Sequence, residues 1–145
     1  TTKGGADLIG IGLTSIGNGV DYYAQNFKEL EPWENALDNG DLPVFKGYRL
    51  SDDDQLRQFV IMELMSNFSL NITRVEDEFK INFKEYFADA ILALKEFEEA
   101  QLIEISDEKI KVSQTGTMLI RNICMPFDAY LNKIPEDKRR FSKTI

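Results

Sequence analysis

The sequence predicts a mainly α-helical chain with one small β-hairpin, in a winged-helix-like order, and one further strand with no sheet to join. Three observations carry this. Residues 51 to 131 hold apolar stripes at helical spacing around a single pair of β-prone runs. Residues 7 to 16, "DLIGIGLTSI", carry Leu8, Ile9, Ile11, Leu13 and Ile16 broken only by small residues. The chain has 145 residues, 43% of them hydrophobic, which is enough for one ordinary domain with a sizeable core and a short appendage.

Taken in order, the run 7 to 16 reads as a strand buried on both faces, as in a parallel sheet. No second run of that kind follows, so either the strand pairs with something outside this chain or the chain is a piece of a larger one. Residues 28 to 39, "KELEPWENALDN", read as a short helix with Leu30, Trp33 and Leu37 on one face, closed by Gly40 and Pro43. "VFKGYRL" then reads as an extended connector. Ser51 caps a strong helix whose first turn holds Asp52, Asp53 and Asp54, where the helix dipole favours negative charge. Its stripe is Leu56, Phe59, Val60, Leu64 and Phe68.

A shorter helix is predicted from about Thr73. One amphipathic helix is predicted over 83 to 100, with Phe87, Ala90, Ile91, Leu94 and Phe97 at helical spacing. "LIEISDEKIKVS" reads as a hairpin around a polar turn. The last helix is predicted from Thr115, with Leu119, Ile120, Ile123, Cys124 and Phe127 inward and Pro126 kinking or ending it.

Charge and composition exclude several functions. There are 25 acidic against 17 basic residues, a net charge of −8, and no histidine. Nucleic acid is a poor partner for such a chain, because phosphate binding needs a basic face. The predicted helix "FKEYFADAILALKEFEEA", at the recognition-helix position, carries Glu85, Asp89, Glu96, Glu98 and Glu99, which repel phosphate. Without histidine there is no Ser-His or Cys-His nucleophile and no usual zinc ligand. The one cysteine, Cys124, allows neither an internal disulfide nor a multi-thiolate centre, and it lies on an apolar stripe. No apolar run reaches the roughly 20 residues of a membrane span, and residues 1 to 16 lack the basic start of a signal peptide. A soluble, cytoplasmic protein is expected.

The pattern Gly10-x-Gly12 invites a nucleotide-loop reading, but Ser15 stands where a dinucleotide fingerprint places its third glycine. No βαβ unit surrounds it, so close backbone packing is the better account. Asp52 with Asp53, and Glu98 with Glu99, are explained by capping and solvation. The residues alone describe an acidic, mostly helical chain without a self-sufficient active site.

The strings "ADLIGIGLTSIG", "YYAQNFKEL" and "LIRNICMPFDAYL", with "RRFSKTI" at the end, resemble the C-terminal part of the oxygen-independent coproporphyrinogen III oxidases. Those are radical S-adenosylmethionine enzymes of haem biosynthesis. The likeness spans almost the whole chain in the same order, and the related radical S-adenosylmethionine haem chaperones are less similar. It implies an upstream α/β barrel in which CxxxCxxC binds a 4Fe-4S cluster. The cluster reduces S-adenosylmethionine, and a radical then converts two propionates of coproporphyrinogen III to vinyls, giving protoporphyrinogen IX. Neither the cysteine triplet nor the glycine-rich S-adenosylmethionine motif is in this sequence, so the chain alone is expected to be inactive and to hold no metal.

On that resemblance the chain divides into 1–26, the last barrel strand and its exit turn; 27–50, a helical linker; 51–131, the winged-helix-like domain; and 132–145, a tail. Ile16 matches the position that contributes to S-adenosylmethionine binding. Tyr23, Gln25 and Asn26 are candidates for lining the substrate cavity, Asn26 also being a candidate N-cap. Arg121 and Asn122 are candidates for propionate, and "KRRFSKTI" for folding over the site. The alternatives are a free-standing winged-helix-like protein-interaction module, or the C-terminal part of a related radical S-adenosylmethionine haem chaperone.

Overall fold

The computed structural model describes residues 6–131, so the predicted basic tail lies outside the described residues. It is a mixed helical structure with two small antiparallel sheets. The chain divides into two compact units between Gln55 and Leu56.

In the first unit, β1 (Ile16–Asn18), β2 (Tyr22–Asn26) and β3 (Val44–Arg49) form a sheet in the order β1-β2-β3. α1 (Leu30–Asp38) lies in sequence between β2 and β3. The run 7 to 16 is not a parallel-type strand, which corrects the sequence expectation. Leu8 makes one antiparallel bridge to Asn18, and the strand proper starts only at Ile16. The reason is local: Gly12 and Thr14 have φ of 89° and 60°, and two left-handed residues turn the chain out of extended geometry. Burial on both faces is also absent, since Ile9 and Ile11 are 82% and 89% exposed. Gly10 is explained by close packing, because a Cβ there would lie 2.9 Å from the carbonyl carbon of Ile16.

"VFKGYR" is a paired strand, not a connector, with a bulge opposite Gln25 and Asn26. Asn26 is not a helix cap; the residue at the N-cap of α1 is Glu29. The apolar face of α1 is not buried either, Leu30 and Leu37 being exposed. Leu50 is the one buried hydrophobic residue of this unit among the described residues.

α2 (Asp52–Asn67) starts where predicted. Ser51 Oγ accepts from the Asp54 amide at 3.2 Å, and the Asp54 carboxylate accepts from the Ser51 amide at 3.0 Å. This reciprocal pairing satisfies two donors at the helix start. The second unit continues with β4 (Ser69–Asn71), α3 (Ile72–Phe79), α4 (Phe83–Tyr86), α5 (Ala88–Glu99), β5 (Ile103–Ile105), β6 (Lys109–Val112) and α6 (Ile120–Cys124). The hairpin β5–β6 forms as expected, and β4 joins its free edge in the order β4-β6-β5.

The single helix predicted over 83 to 100 is two, broken at Phe87 (φ −106°, ψ 28°). No proline or glycine dictates this break. It accompanies a ring cluster in which Phe87 lies 4.9 Å from Phe83 and 5.3 Å from Phe127. The last helix is shorter than predicted, being a 3₁₀ turn at Gly116–Leu119, then α6, then a 3₁₀ turn at Met125–Phe127 that contains Pro126. The buried core includes Leu56, Val60, Leu64, Leu70, Val75, Phe83, Leu94, Ile110 and Ile123, all in this second unit. Phe68, predicted inward, is exposed at the end of α2, where its φ of 54° turns the chain into β4.

Candidate functional site

The pairing register of the first sheet brings several predicted site residues onto one face. Ile16 is opposite Gln25, and Gln25 is opposite Lys46. The neighbouring row is Asn18, Tyr23 and Tyr48. Because directly paired residues, and residues two apart along a strand, point to the same side, these six form a single face. Ile16 is 54% exposed and Tyr48 51%, so the face is open and partly apolar. The other side is nearly smooth where Gly17, Ala24 and Gly47 pair in a row.

This face offers an aliphatic side chain, two phenol rings, two amides and one ammonium. Such a set can cover a planar or aliphatic ligand surface, with Lys46 meeting an anionic group. At the hairpin end, Asp21 and Arg49 pair at 3.4 Å in an exposed setting that adds little stability. Lys46 and Tyr48 escape the sequence reading because β3 reads there as a connector. The sequence marks this strand only by the β-prone residues Val44, Phe45 and Tyr48, with no apolar–polar alternation to set its faces.

Asn26 does not belong to this face. Its side chain is buried and donates to the turn before β1, with Gly12 O at 2.9 Å. Arg121 and Asn122 are carried by α6 in the other unit, both exposed. Asn122 lines a shallow groove with Asp89, Glu96, Phe97, Met125 and Pro126. Two carboxylates on that rim disfavour a carboxylate ligand there, which leaves Arg121 the better candidate of the pair.

Among the described residues there is no group of three or more His, Cys, Asp or Glu side chains placed to hold an ion. Cys124 is buried, and burial pushes its thiol from 9.0 up to about 12, so it is held protonated. Among the described residues, no helix is long and apolar enough to cross a membrane.

Comparison with known proteins gives a consistent picture. A family profile described as the HemN C-terminal domain matches residues 50–119. Over all 145 residues the chain is 47% identical to the oxygen-independent coproporphyrinogen III oxidase of Helicobacter pylori strain J99, and it covers 31% of that protein. It is 37% identical to the enzyme of the same name from Pseudomonas aeruginosa, again covering 31% of it. Among solved structures it resembles the coproporphyrinogen III oxidase (HemN) from Escherichia coli, described as a radical SAM enzyme. That likeness has a TM-score of 0.82 at 37% identity and covers 90% of this chain and 30% of the other. The chain thus spans about a third of the length of these relatives.

Proposed function

We propose that the chain is the C-terminal portion of an oxygen-independent coproporphyrinogen III oxidase, and that its first sheet supplies one wall of the cofactor and substrate site in the complete protein. There, two propionates of coproporphyrinogen III become vinyl groups with loss of carbon dioxide, in the cytoplasm. Bound S-adenosylmethionine and a 4Fe-4S cluster supply the radical chemistry.

The cluster is not this chain's to hold. Such a centre takes several thiolates, and the sequence has one cysteine, buried and protonated. S-adenosylmethionine fits the chain better. Ile16 presents an apolar, half-exposed side chain beside the amide of Gln25, suited to packing against a flat heterocycle while polar groups meet its edge. Lys46, Tyr23 and Tyr48 line the same face and suit a ring system bearing carboxylates. Arg121 is a further candidate for a propionate.

The observation that carries this reading is an exposed, chemically mixed face on a unit that buries little apolar surface of its own. Fully burying an aliphatic or aromatic side chain contributes about 1.5–3 kcal/mol, so leaving Ile9, Ile11, Ile16 and Phe45 open is costly unless something covers them. The upstream barrel of the same protein is the proposed cover. The order α2, β4, α3, α4–α5, β5–β6 supports a winged-helix-like reading of the second unit, with β4 on the edge of the wing hairpin.

The test is Ile16→Asp in the full-length protein, purified without oxygen and with its cluster reconstituted. S-adenosylmethionine affinity should fall more than folding stability. Equal loss of both would leave Ile16 with a packing role only, and unchanged affinity would remove the reading.

A further inference from the structure

The turn that delivers Ile16 to the sheet is held by one side chain at the far end of β2. Asn26 is 9% exposed. Its amide nitrogen lies 2.9 Å from the Gly12 carbonyl oxygen and 3.0 Å from Ser15 Oγ, with the Gly10 carbonyl at 3.5 Å. Carbonyl oxygens only accept, so the nitrogen must face this cluster. Ser15 Oγ passes the bond on, donating to Gly12 O at 2.8 Å. The backbone adds two more ties: the Asn26 amide donates to Ser15 O at 2.9 Å, and the Thr14 amide donates to Phe27 O at 2.8 Å.

What these bonds hold is a strained segment. Thr14 is β-branched yet sits at φ 60°, a region such residues avoid because Cβ crowds the following carbonyl. A strained residue persists only where its surroundings over-determine it. Here the strain falls two residues before Ile16, and the residue that enforces it follows Gln25, the cross-strand partner of Ile16. One side chain therefore fixes both the exit angle of the turn and the end of the strand that faces Ile16.

We infer that Asn26 is a positioning residue, which clamps the Gly10–Ser15 turn in its strained form and so sets Ile16 at the ligand face. The inference rests on the reading of Ile16 as an S-adenosylmethionine contact. Asn26 acts through the turn and does not itself touch the ligand.

The experiment uses the full-length protein, purified without oxygen and with its cluster reconstituted, and measures S-adenosylmethionine affinity by equilibrium dialysis. Asn26→Asp keeps the shape but sets an acceptor against the carbonyl oxygens of Gly12 and Gly10, and the Ser15 hydroxyl can meet it only by turning away from Gly12. It should weaken affinity about tenfold, which corresponds to 1.4 kcal/mol, while circular dichroism at the assay temperature shows a folded protein. In the Asn26→Asp background, Thr14→Gly removes the strain and should recover part of that affinity, a response that a purely structural role would not give. Ser15→Ala removes the hydroxyl that accepts from Asn26 and relays to Gly12 while leaving the direct Asn26–Gly12 bond, and it should weaken affinity in the same direction, which keeps the test open if Asn26→Asp does not fold.

Wild-type affinity in a folded Asn26→Asp protein, or in Ser15→Ala should Asn26→Asp fail to fold, overturns the inference. Ile16→Asp run in parallel separates the two ideas. If it loses affinity while the Asn26 and Ser15 variants do not, the Ile16 reading stands and the clamp fails. If Ile16→Asp binds as the wild type does, the reading fails and the clamp has no ligand to serve.

Discussion

Arg57 on α2 donates through Nη1 to the backbone carbonyl of Phe127 at 3.0 Å, tying α2 to the 3₁₀ turn that follows α6. The guanidinium also lies 5.4 Å from the ring centre of Phe87 and 6.0 Å from that of Tyr86. The same carbonyl ends the 3₁₀ turn after α6, where a positive charge also suits the helix dipole.

Arg57→Ala should therefore cost about 2 kcal/mol, because it removes a charge-assisted hydrogen bond together with the cation's packing on two rings. Arg57→Lys should recover less than half of that, because a lysine cannot reproduce the planar stacking. Urea unfolding of the two variants would measure both. A loss under about 0.5 kcal/mol for Arg57→Ala would show that the tie is incidental.

Much of the second unit is legible in the sequence because its signals are local. The helix start at Ser51, the apolar spacing of Leu56, Val60 and Leu64, and the polar turn at 106–108 each name their element directly. The break at Phe87 is not legible, since it accompanies packing on Phe127, forty residues away in sequence. In the first unit the difficulty is different. An apolar run broken by glycines reads as a buried parallel strand, yet the turn at Gly12 and Thr14 depends on Asn26, which sequence proximity cannot reveal. Ile16, Tyr23 and Gln25 follow from a resemblance, and their shared face with Lys46 and Tyr48 emerges only with the register.

The capping pair at the start of α2 makes a separable prediction. Ser51→Ala removes the hydroxyl that accepts from the Asp54 amide and should cost about 1 kcal/mol, whereas Ser51→Thr should be nearly neutral. Denaturant midpoints would read this, with unchanged m-values showing that only the cap was touched.

Cys124 predicts a pH dependence in the alkaline range. Its folded value of about 12 lies above the ordinary 9.0, so the folded state favours the protonated thiol. That contribution is fully present below about 9 and is lost as pH rises toward about 12. Lysines and tyrosines titrate in the same window, so the quantity to measure is the stability of the wild type minus that of Cys124→Ala. That difference should shrink from pH 9 upward, and a flat difference would remove the argument. Alkylation of the native thiol at pH 8 should be correspondingly slow, and it should become fast on unfolding.

Lys46 carries the sharpest prediction about the ligand face. It is exposed on β3, beside Gln25, with Tyr23 and Tyr48 in the next row of the same face. If a carboxylate of the substrate meets it in the complete protein, Lys46→Glu should raise the substrate KM about tenfold or more, since both a charge-assisted bond and a charge sign are changed. Lys46→Arg should stay near wild type. Tyr48→Phe keeps the ring and should have a smaller effect than Tyr48→Ala. The wild-type KM should rise with salt, and that slope should flatten or reverse in Lys46→Glu. Because Lys46 lies outside the buried core, Lys46→Glu and Lys46→Arg should unfold within about 0.5 kcal/mol of each other. An unchanged KM in Lys46→Glu would assign carboxylate recognition elsewhere, with Arg121 the next residue to test.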